Sequence, residues 1–339
     1  MPTYTGISSE AFRHPLDRQA EQALRSVPGF DLVARKFVEF LSERPQYVYQ
    51  MGNSIQVGPR QYASVYQIFQ ECLRDLDIYP EPNLFVSQNP LVNAFALGQE
   101  FPFIVLNSGL LDLMSETELR TVIAHELGHI KCKHTTLIQM AIWTTQLISG
   151  LAERTFGLSL LISTGLVMAF YEWLRKAELS ADRAALLVMD ELHPITNGMM
   201  KIAGGSAHYA HELNLDEFTR QSERYQGLDE DGLNQIYKFF LYNNLSAGIF
   251  LTHPFTVERV YYLREWSTSE EYRQIRQGNY QRAGAEGAVD VSVESPPKAA
   301  QSGQSGQSTQ PQPTQVEVND LRRQIDELQQ EIDRIKRGE

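Results

Sequence analysis

The sequence feature that most constrains this chain is the pentapeptide His125-Glu126-Leu-Gly-His129. Histidines four residues apart lie on one face of an α-helix, so both imidazoles can reach one metal ion. Ser115 and Glu118 form a capping-box pattern that predicts the start of this helix. Apolar residues then recur at helical spacing: Leu119, Val122, Ile123, Leu127 and Ile130. The motif is therefore predicted on a packed helix, where Glu126 can act as base on a water that the metal activates.

A third metal ligand decides between this prediction and an amphipathic helix that carries partly exposed histidines. A catalytic zinc site uses three protein ligands and keeps one position open. His134 is the nearest candidate, but it lies about half a turn around the predicted helix from His125. Positions 132 and 135 are Cys132 and Thr135, which excludes the spacing of the metzincins. The third ligand should therefore come from a later segment.

The segment from residue 176 to residue 186 offers that ligand. Glu178 and Asp182 are four residues apart and share a helix face. Small residues on the same segment allow a close approach to the first helix: Ala177, Ser180, Ala181, Ala184 and Ala185. Glu178 is predicted to bind the metal, and Asp182 to accept the outer N–H of a ligating histidine. The alternative is a solvated helix face that carries Arg175, Lys176 and Arg183.

These motifs resemble the HtpX and CAAX-prenyl-protease type of zinc metallopeptidase, and specifically its soluble-headed bacterial branch. The resemblance extends over residues 84–266, with further signatures at Asn93-Ala-Phe-Ala96 and Thr252-His253-Pro254. It implies an α+β, mostly helical fold of the gluzincin type with a small antiparallel or mixed sheet. It also implies one Zn²⁺ per subunit.

The resemblance assigns roles to further residues. His253 would stabilise the oxyanion, although a Thr-His-Pro sequence alone is more often a helix cap. Arg259 would brace a carboxylate such as Glu178. Residues Asn93, Ala94 and Ala96 would lie on an edge strand that pairs with an extended substrate, unless this strand is an inner one.

The chain is predicted to have four parts. Residues 1–80 should form N-terminal helices and a β-hairpin at 47–57 that pack on the catalytic body, which is residues 81–282. Residues 283–315 are rich in Gly, Ser, Gln and Pro and are predicted to be a disordered linker. Residues 316–337 carry apolar residues at alternating intervals of three and four, which predicts a coiled-coil helix for self-association or a lone exposed helix.

Residues 135–171 raise the question of a membrane. They contain two uncharged runs, which are separated by Glu153-Arg154 and are slightly shorter than the ~20 residues of a membrane span. Three alternatives stay open: a spanning helical hairpin, a hairpin that binds the membrane surface, and a hairpin that covers the active site without membrane contact.

Composition limits the classes of binding partner and the cellular compartment that we expect for this chain. A formal charge of −12 and a pI near 5.2 argue against nucleic acid. Cys72 and Cys132 form neither a disulfide framework nor a Cys-x-x-Cys zinc site, which is typical of a reducing compartment. The first residues lack a basic region followed by an apolar run, so no secretory signal is expected. We therefore expect the catalytic body in the cytoplasm, with residues 135–171 as the segment at which the question of membrane association stays open.

The function predicted from the sequence is zinc-dependent endopeptidase activity on polypeptides, with membrane or misfolded proteins as substrates in quality control. Two alternatives stay open. One is a non-proteolytic chaperone or scaffold that uses the hydrophobic hairpin and the terminal helix. The other is a peptidase that processes a lipidated substrate.

Overall fold

The computed structural model describes residues 3–40, 44–151, 158–206, 208–228, 243–244, 249–250 and 256–283. The chain divides into two units, Met1–Val293 and Glu294–Glu339. The predicted linker and coiled-coil helix lie outside the described residues, so both stay predictions. The boundaries at residues 80 and 282 also stay predictions.

The first unit is mostly helical. Its helices are α1 (Pro15–Ser26), α2 (Phe30–Phe40), α3 (Arg44–Asn53), α4 (Ala63–Leu76), α5 (Ser108–Leu113), α6 (Glu116–Lys131), α7 (Thr135–Leu151), α8 (Leu158–Met189), α9 (Leu192–Gly204), α10 (Leu215–Gly227), α11 (Thr256–Ser267) and α12 (Glu270–Arg276). Its strands are β1 (Ile55–Gln56), β2 (Asn83–Ser87), β3 (Ala94–Leu97), β4 (Phe103–Asn107) and the short antiparallel pair β5 (Asn243–Asn244) and β6 (Ile249–Phe250).

A four-stranded mixed sheet lies before the motif helix, as the predicted fold class requires. The strand order is β1-β2-β4-β3, with β2 parallel to β4 and the other neighbours antiparallel. Strand β3 is therefore an edge strand. Its register places Ala94 opposite Leu106 and Ala96 opposite Ile104. The predicted α+β, mostly helical fold with a small mixed sheet is confirmed.

The core lies on both sides of this sheet. One face packs on α4, α6, α8, α9 and α11 through a large apolar cluster that includes Phe69, Ile104, Ile123 and Val260. The other face carries a small apolar cluster of Phe85, Leu97, Phe103 and Val105. A separate cluster joins α1, α2, α7 and α8 around Phe170 and Trp173, both buried. Cys72 and Cys132 are buried and are not joined by a disulfide.

Helices α6 and α8 approach each other closely, which brings the two sequence motifs together. A Cβ added at Gly128 of α6 would lie 2.8 Å from the Cβ of Ala184 on α8. Real Cβ atoms do not come this close, so this contact requires glycine. The prediction that small residues on the later segment permit a close approach is confirmed at this contact.

The predicted hairpin at residues 47–57 is wrong. Its first half is part of helix α3, and its second half contains β1, which pairs with β2 through Ile55 and Val86. The ring of Tyr47 packs at 6.2 Å from that of Phe85 and 6.4 Å from that of Phe103. Packing of the helix on the outer face of the sheet therefore overrides the short alternating pattern that predicted a strand.

Helix α7 and the first part of α8 form the two arms of the predicted hydrophobic hairpin, with residues 152–157 outside the described part of the chain. In the ranges that the structure describes, none of the helices has both the length and the hydropathy needed to cross a bilayer.

Candidate metal centre

Three side chains from α6 and α8 converge on one point. The Nε2 atoms of His125 and His129 lie 3.3 Å apart. The carboxylate of Glu178 lies 3.3 Å from Nε2 of His125 through Oε2 and 3.2 Å from Nε2 of His129 through Oε1. All three side chains are buried. One turn of α6 and one residue of α8 thus present two imidazoles and one carboxylate to a shared centre, which could hold a metal ion.

These spacings suit a tetrahedral ion. Nitrogen and oxygen ligands that bind such an ion at about 2.05 Å lie about 3.3 Å from one another. The three observed separations are 3.2 and 3.3 Å. The two imidazole nitrogens and the carboxylate of Glu178 are therefore close enough to share one ion, with each imidazole facing a different oxygen of Glu178.

The outer nitrogen of His125 is held from α8 and α11. Nδ1 of His125 lies 3.0 Å from Oδ1 of Asp182. Arg259 donates to both oxygens of Asp182, at 2.8 Å from Nε and 2.6 Å from Nη2, and its Nη1 lies 3.3 Å from Oε2 of Glu178. Asp182 thus accepts Nδ1–H of His125, which leaves Nε2 of that ring to face the shared centre.

The outer nitrogen of His129 is held by His134. The two Nδ1 atoms lie 3.0 Å apart, and Nε2 of His134 lies 3.1 Å from Oδ2 of Asp17 on α1. If Nε2 of His129 faces the shared centre as an acceptor, Nδ1–H of His129 must donate to His134, and His134 must donate to Asp17. Each link then has one donor and one acceptor.

Asp17 is fully buried and receives several donors from different parts of the chain. Nε and Nη2 of Arg13 donate to it at 2.8 and 3.0 Å. Ser180 of α8 donates to Oδ2 at 2.7 Å, and the indole N–H of Trp173 donates to Oδ1 at 3.1 Å. The second histidine of the motif is therefore anchored, through His134, to the N-terminal helix.

Electrostatics differ between the two histidines. Burial alone would lower the pKa of His125, but hydrogen bonds to Asp182 and Glu178 outweigh burial and raise it to about 10. Burial lowers the pKa of His129 to about 4, and the nearby charges of His125 and His134 add to this effect. Burial would raise the pKa of Asp182, but Arg259 holds it below its usual value.

Glu126 lies beside these residues at a solvent-facing cavity. The cavity encloses about 720 Å³ of empty space, including its open mouth. His125, Glu126, Asn93 and Ala94 all line it. A carboxylate next to the metal-ligand candidate therefore faces the same space as the edge strand β3.

The structure brings together most of the residues predicted from the sequence. His125, His129, Glu178, Asp182 and Arg259 lie in one cluster, and Arg259 contacts both carboxylates. Ala96 of β3 is buried opposite Ile104 and does not line the cavity. His253 lies outside the described residues.

Sequence reasoning missed the roles of His134 and Asp17. His134 was considered only as a metal ligand, and its position on the far side of the helix excluded it. That same position suits it to support His129 from behind. Asp17 lies 117 residues away in sequence from His134, so no local spacing could have revealed their contact.

The mixed sheet, the His-Glu-x-x-His helix and the glutamate of a later helix define a metallopeptidase of the gluzincin class. Residues 59–267 match the model of peptidase family M48, so the chain belongs to this family. Family membership makes it a metal-dependent peptidase that acts on polypeptides.

Relatives of this family cover most of the chain. The plastoglobule-localized metallopeptidase 48 of Arabidopsis thaliana, a chloroplastic protein, is 32% identical over 274 residues, which are 80% of this chain and 76% of the relative. Protease HtpX homolog 1 of Sulfolobus acidocaldarius is 29% identical over 252 residues, covering 61% of this chain and 77% of its own length. The Polynucleobacter necessarius HtpX homolog is 27% identical over 235 residues, covering 66% and 81% respectively. No solved structure matches the chain significantly.

Proposed function

We propose that this peptidase is a zinc-dependent endopeptidase in which His125, His129 and Glu178 hold one Zn²⁺ per subunit. The observation that supports this most directly is that the two Nε2 atoms lie 3.3 Å apart and that each lies 3.2 or 3.3 Å from one oxygen of the Glu178 carboxylate. Two imidazoles and one carboxylate are a common ligand set for catalytic zinc. The outer nitrogens of both imidazoles have partners, which is the usual arrangement around zinc-ligating histidines.

When bound, Zn²⁺ supplies a Lewis acid that polarises the scissile carbonyl and makes a water molecule acidic enough to react near neutral pH. Glu126 accepts the proton of the attacking water and then passes it to the leaving amine. Asp182 and Arg259 keep His125 in one orientation, and His134 and Asp17 do the same for His129. His253 would donate to the oxyanion that develops on the substrate.

Substrate binding at strand β3 follows from its edge position. An extended polypeptide can add to the edge of a sheet through backbone hydrogen bonds, which do not depend on the substrate's sequence. Asn93 and Ala94 lie where β3 meets the cavity, and Ala94 and Ala96 have small side chains. We propose that the substrate pairs with β3 and so carries its scissile bond past Glu126.

This binding mode favours chains whose backbone is unpaired. A folded segment already uses its backbone donors and acceptors, whereas a misfolded or unfolded segment offers them. We therefore propose misfolded and membrane proteins as substrates, and a role in quality control. Cleavage of unfolded casein, with no cleavage of a stably folded protein of similar size, would support this substrate class.

We further propose that the enzyme is cytoplasmic and contacts a membrane surface through residues 135–171. Helix α7 contains no charged residue, and Ile142 on it is 39% exposed. Co-flotation of the full chain with phospholipid vesicles tests this proposal, and a protein that stays at the bottom of the gradient would contradict it.

The mechanism is tested with Glu126→Gln, which removes the base and keeps the shape of the side chain. We expect the variant to retain one zinc ion per chain and to lose casein cleavage by at least 100-fold, within the range that general base catalysis contributes. Cleavage at the wild-type rate by the purified variant would refute the role of Glu126.

A further inference from the structure

The cavity beside Glu126 is polar at one side and apolar over the rest of its lining. Polar groups come from the metal centre itself, namely His125, Glu126, Asp182 and Arg259. The apolar wall comes from several elements and includes Leu110 of α5, Val122 of α6, and Ile195, Met199 and Ile202 of α9. A concave apolar space with polar groups at one side is the usual form of a ligand pocket.

The cavity has a floor and a rim. Leu110, Ile195 and Met199 are at most 4% exposed, whereas Ile202 is 44% exposed. Ala94 of the edge strand and the two residues before it, Val92 and Asn93, line the same cavity. A chain that lies along β3 would therefore pass over this opening with alternate side chains pointing toward it.

Gly198 is the unusual residue of the apolar wall. It lies in the middle of α9, where glycine costs a helix about 1 kcal/mol relative to alanine. Its backbone does not have the positive φ that would favour glycine. A Cβ at this position would meet only Oγ1 of Thr121, at 3.6 Å, which is an ordinary contact.

Gly198 therefore differs from Gly128, where the neighbouring helix leaves no room for a Cβ. Neither backbone conformation nor helix packing accounts for glycine at position 198. Gly198 lines the cavity, so a larger side chain at this position would reduce the space in the cavity.

We propose that this cavity binds a large apolar side chain of the polypeptide substrate, at one fixed position next to the scissile bond, and that Gly198 sets its size. The proposal rests on the peptidase function proposed above and specifies its substrate. Leucine, isoleucine, methionine and phenylalanine side chains match the apolar wall, and charged side chains do not, because their burial there would leave the charge unpaired.

The test uses the full chain loaded with zinc. β-Casein is digested with wild type, Gly198→Leu and Gly198→Ala, and cleavage sites are mapped by mass spectrometry. Two peptides are then made that differ only in having leucine or alanine at the position, relative to the cleaved bond, where the mapped sites favour a large apolar residue. The value of kcat/KM is measured for both peptides with each enzyme variant. We expect wild type to prefer the leucine peptide at least tenfold and Gly198→Leu to reduce this preference at least tenfold.

Gly204→Leu is the matched control, because Gly204 lies on the same helix, is exposed, and has no heavy atom within 4 Å of an added Cβ. It should keep the wild-type preference. Gly198→Ala keeps the test informative if the leucine variant fails to fold. It adds only one methyl group, so it should stabilise α9 and still weaken the preference for the leucine peptide. Zinc content of every variant is measured alongside.

A binding measurement separates failure of this proposal from failure of the peptidase function. Both peptides are titrated into Glu126→Gln and into Glu126→Gln with Gly198→Leu, by fluorescence anisotropy. If Glu126→Gln binds the leucine peptide more tightly than the alanine peptide, and the double variant does not, the pocket is supported. This holds even if wild type cleaves neither peptide; absence of cleavage would contradict only the peptidase function. Equal binding of the two peptides, or a preference that Gly198→Leu leaves unchanged, overturns the pocket.

Discussion

Nδ1 of His129 lies 3.0 Å from Nδ1 of His134, five residues further along the chain. The contact continues through Nε2 of His134 to Asp17, which belongs to the N-terminal helix. Asp17 lies outside residues 59–267, the part of the chain that matches the family model. The contacts that support the candidate metal centre thus extend into a segment that the family match does not cover.

Loss of His134 should weaken metal binding. His134→Ala removes the acceptor for Nδ1–H of His129, and such outer partners contribute about 10- to 100-fold in metal affinity. We expect a loss of that size in zinc affinity, measured by competition with a chromophoric chelator. Asp17→Asn should show a smaller loss, because its amide oxygen can still accept from His134.

The control for this prediction is His208→Ala, because His208 is exposed. Its zinc affinity should equal that of wild type. If His134→Ala also binds zinc with wild-type affinity, the contact between His129 and His134 does not support the metal site.

Chelation should abolish activity reversibly. Removal of the metal with 1,10-phenanthroline should stop casein cleavage, and addition of Zn²⁺ in slight excess should restore it, because the ligands stay in place in the folded protein. Stopped assays and zinc content measured on the same samples check this. Full cleavage by protein shown to be metal-free would contradict a metal-dependent mechanism.

The close approach of α6 and α8 should be sensitive to one methyl group. Gly128→Ala forces an added Cβ to within 2.8 Å of Ala184, and such overpacking costs about 1 to 3 kcal/mol of unfolding free energy. Urea denaturation measures the loss.

Gly165→Ala is the control for this change. Gly165 lies on α8 in open space, so the substitution should stabilise the protein by up to ~1 kcal/mol. Equal effects of the two substitutions would show that helix propensity, and not the contact with α8, determines the response at Gly128.

His14 should make stability depend on pH. Its Nδ1 accepts the N–H of Leu16 at the start of α1, which needs the neutral ring. Burial, together with the positive charge of Arg183, lowers its pKa to about 3, against 6.5 for the exposed group. Between these values the unfolded chain binds the proton and the folded chain does not, so stability falls as pH drops below 6.5.

The size of this effect can be measured by substitution. From pH 6.5 to pH 5, the linkage amounts to about 1.5 kcal/mol. His14→Asn keeps a capping side chain and removes the titration, so unfolding free energy of the metal-free variant should fall less over this interval than that of metal-free wild type. Identical slopes would contradict the assignment to His14.

The convergence of His125, His129 and Glu178 could be predicted from the sequence because it depends on local geometry. The spacing of His125 and His129 fixes their common face, and small residues around Glu178 indicate a helix that can come close. The edge strand at residues 94–97 and its neighbours also follow from short apolar runs before the motif. Each of these features is determined by residues within one or two turns of a single helix, or within a single strand.

Features that depend on tertiary packing could not be predicted in this way. The sequence predicts a strand in the first half of the 47–57 hairpin, where the structure has helix α3, because Tyr47 gains its packing only when the outer face of the sheet is present. The support of His129 by His134 and Asp17 requires α1 to lie against α8. The pocket around Gly198 likewise needs α5, α6 and α9 in place.

The proposed zinc centre depends on Glu178 as the third ligand, and the zinc content of Glu178→Gln tests this role most directly. The amide has the shape of the carboxylate but lacks its charge, so the two imidazoles alone should not retain the ion. By inductively coupled plasma mass spectrometry after dialysis, we predict about one zinc per chain in wild type and less than about a tenth of that in Glu178→Gln. A variant that keeps one zinc per chain with wild-type affinity would contradict the proposed centre.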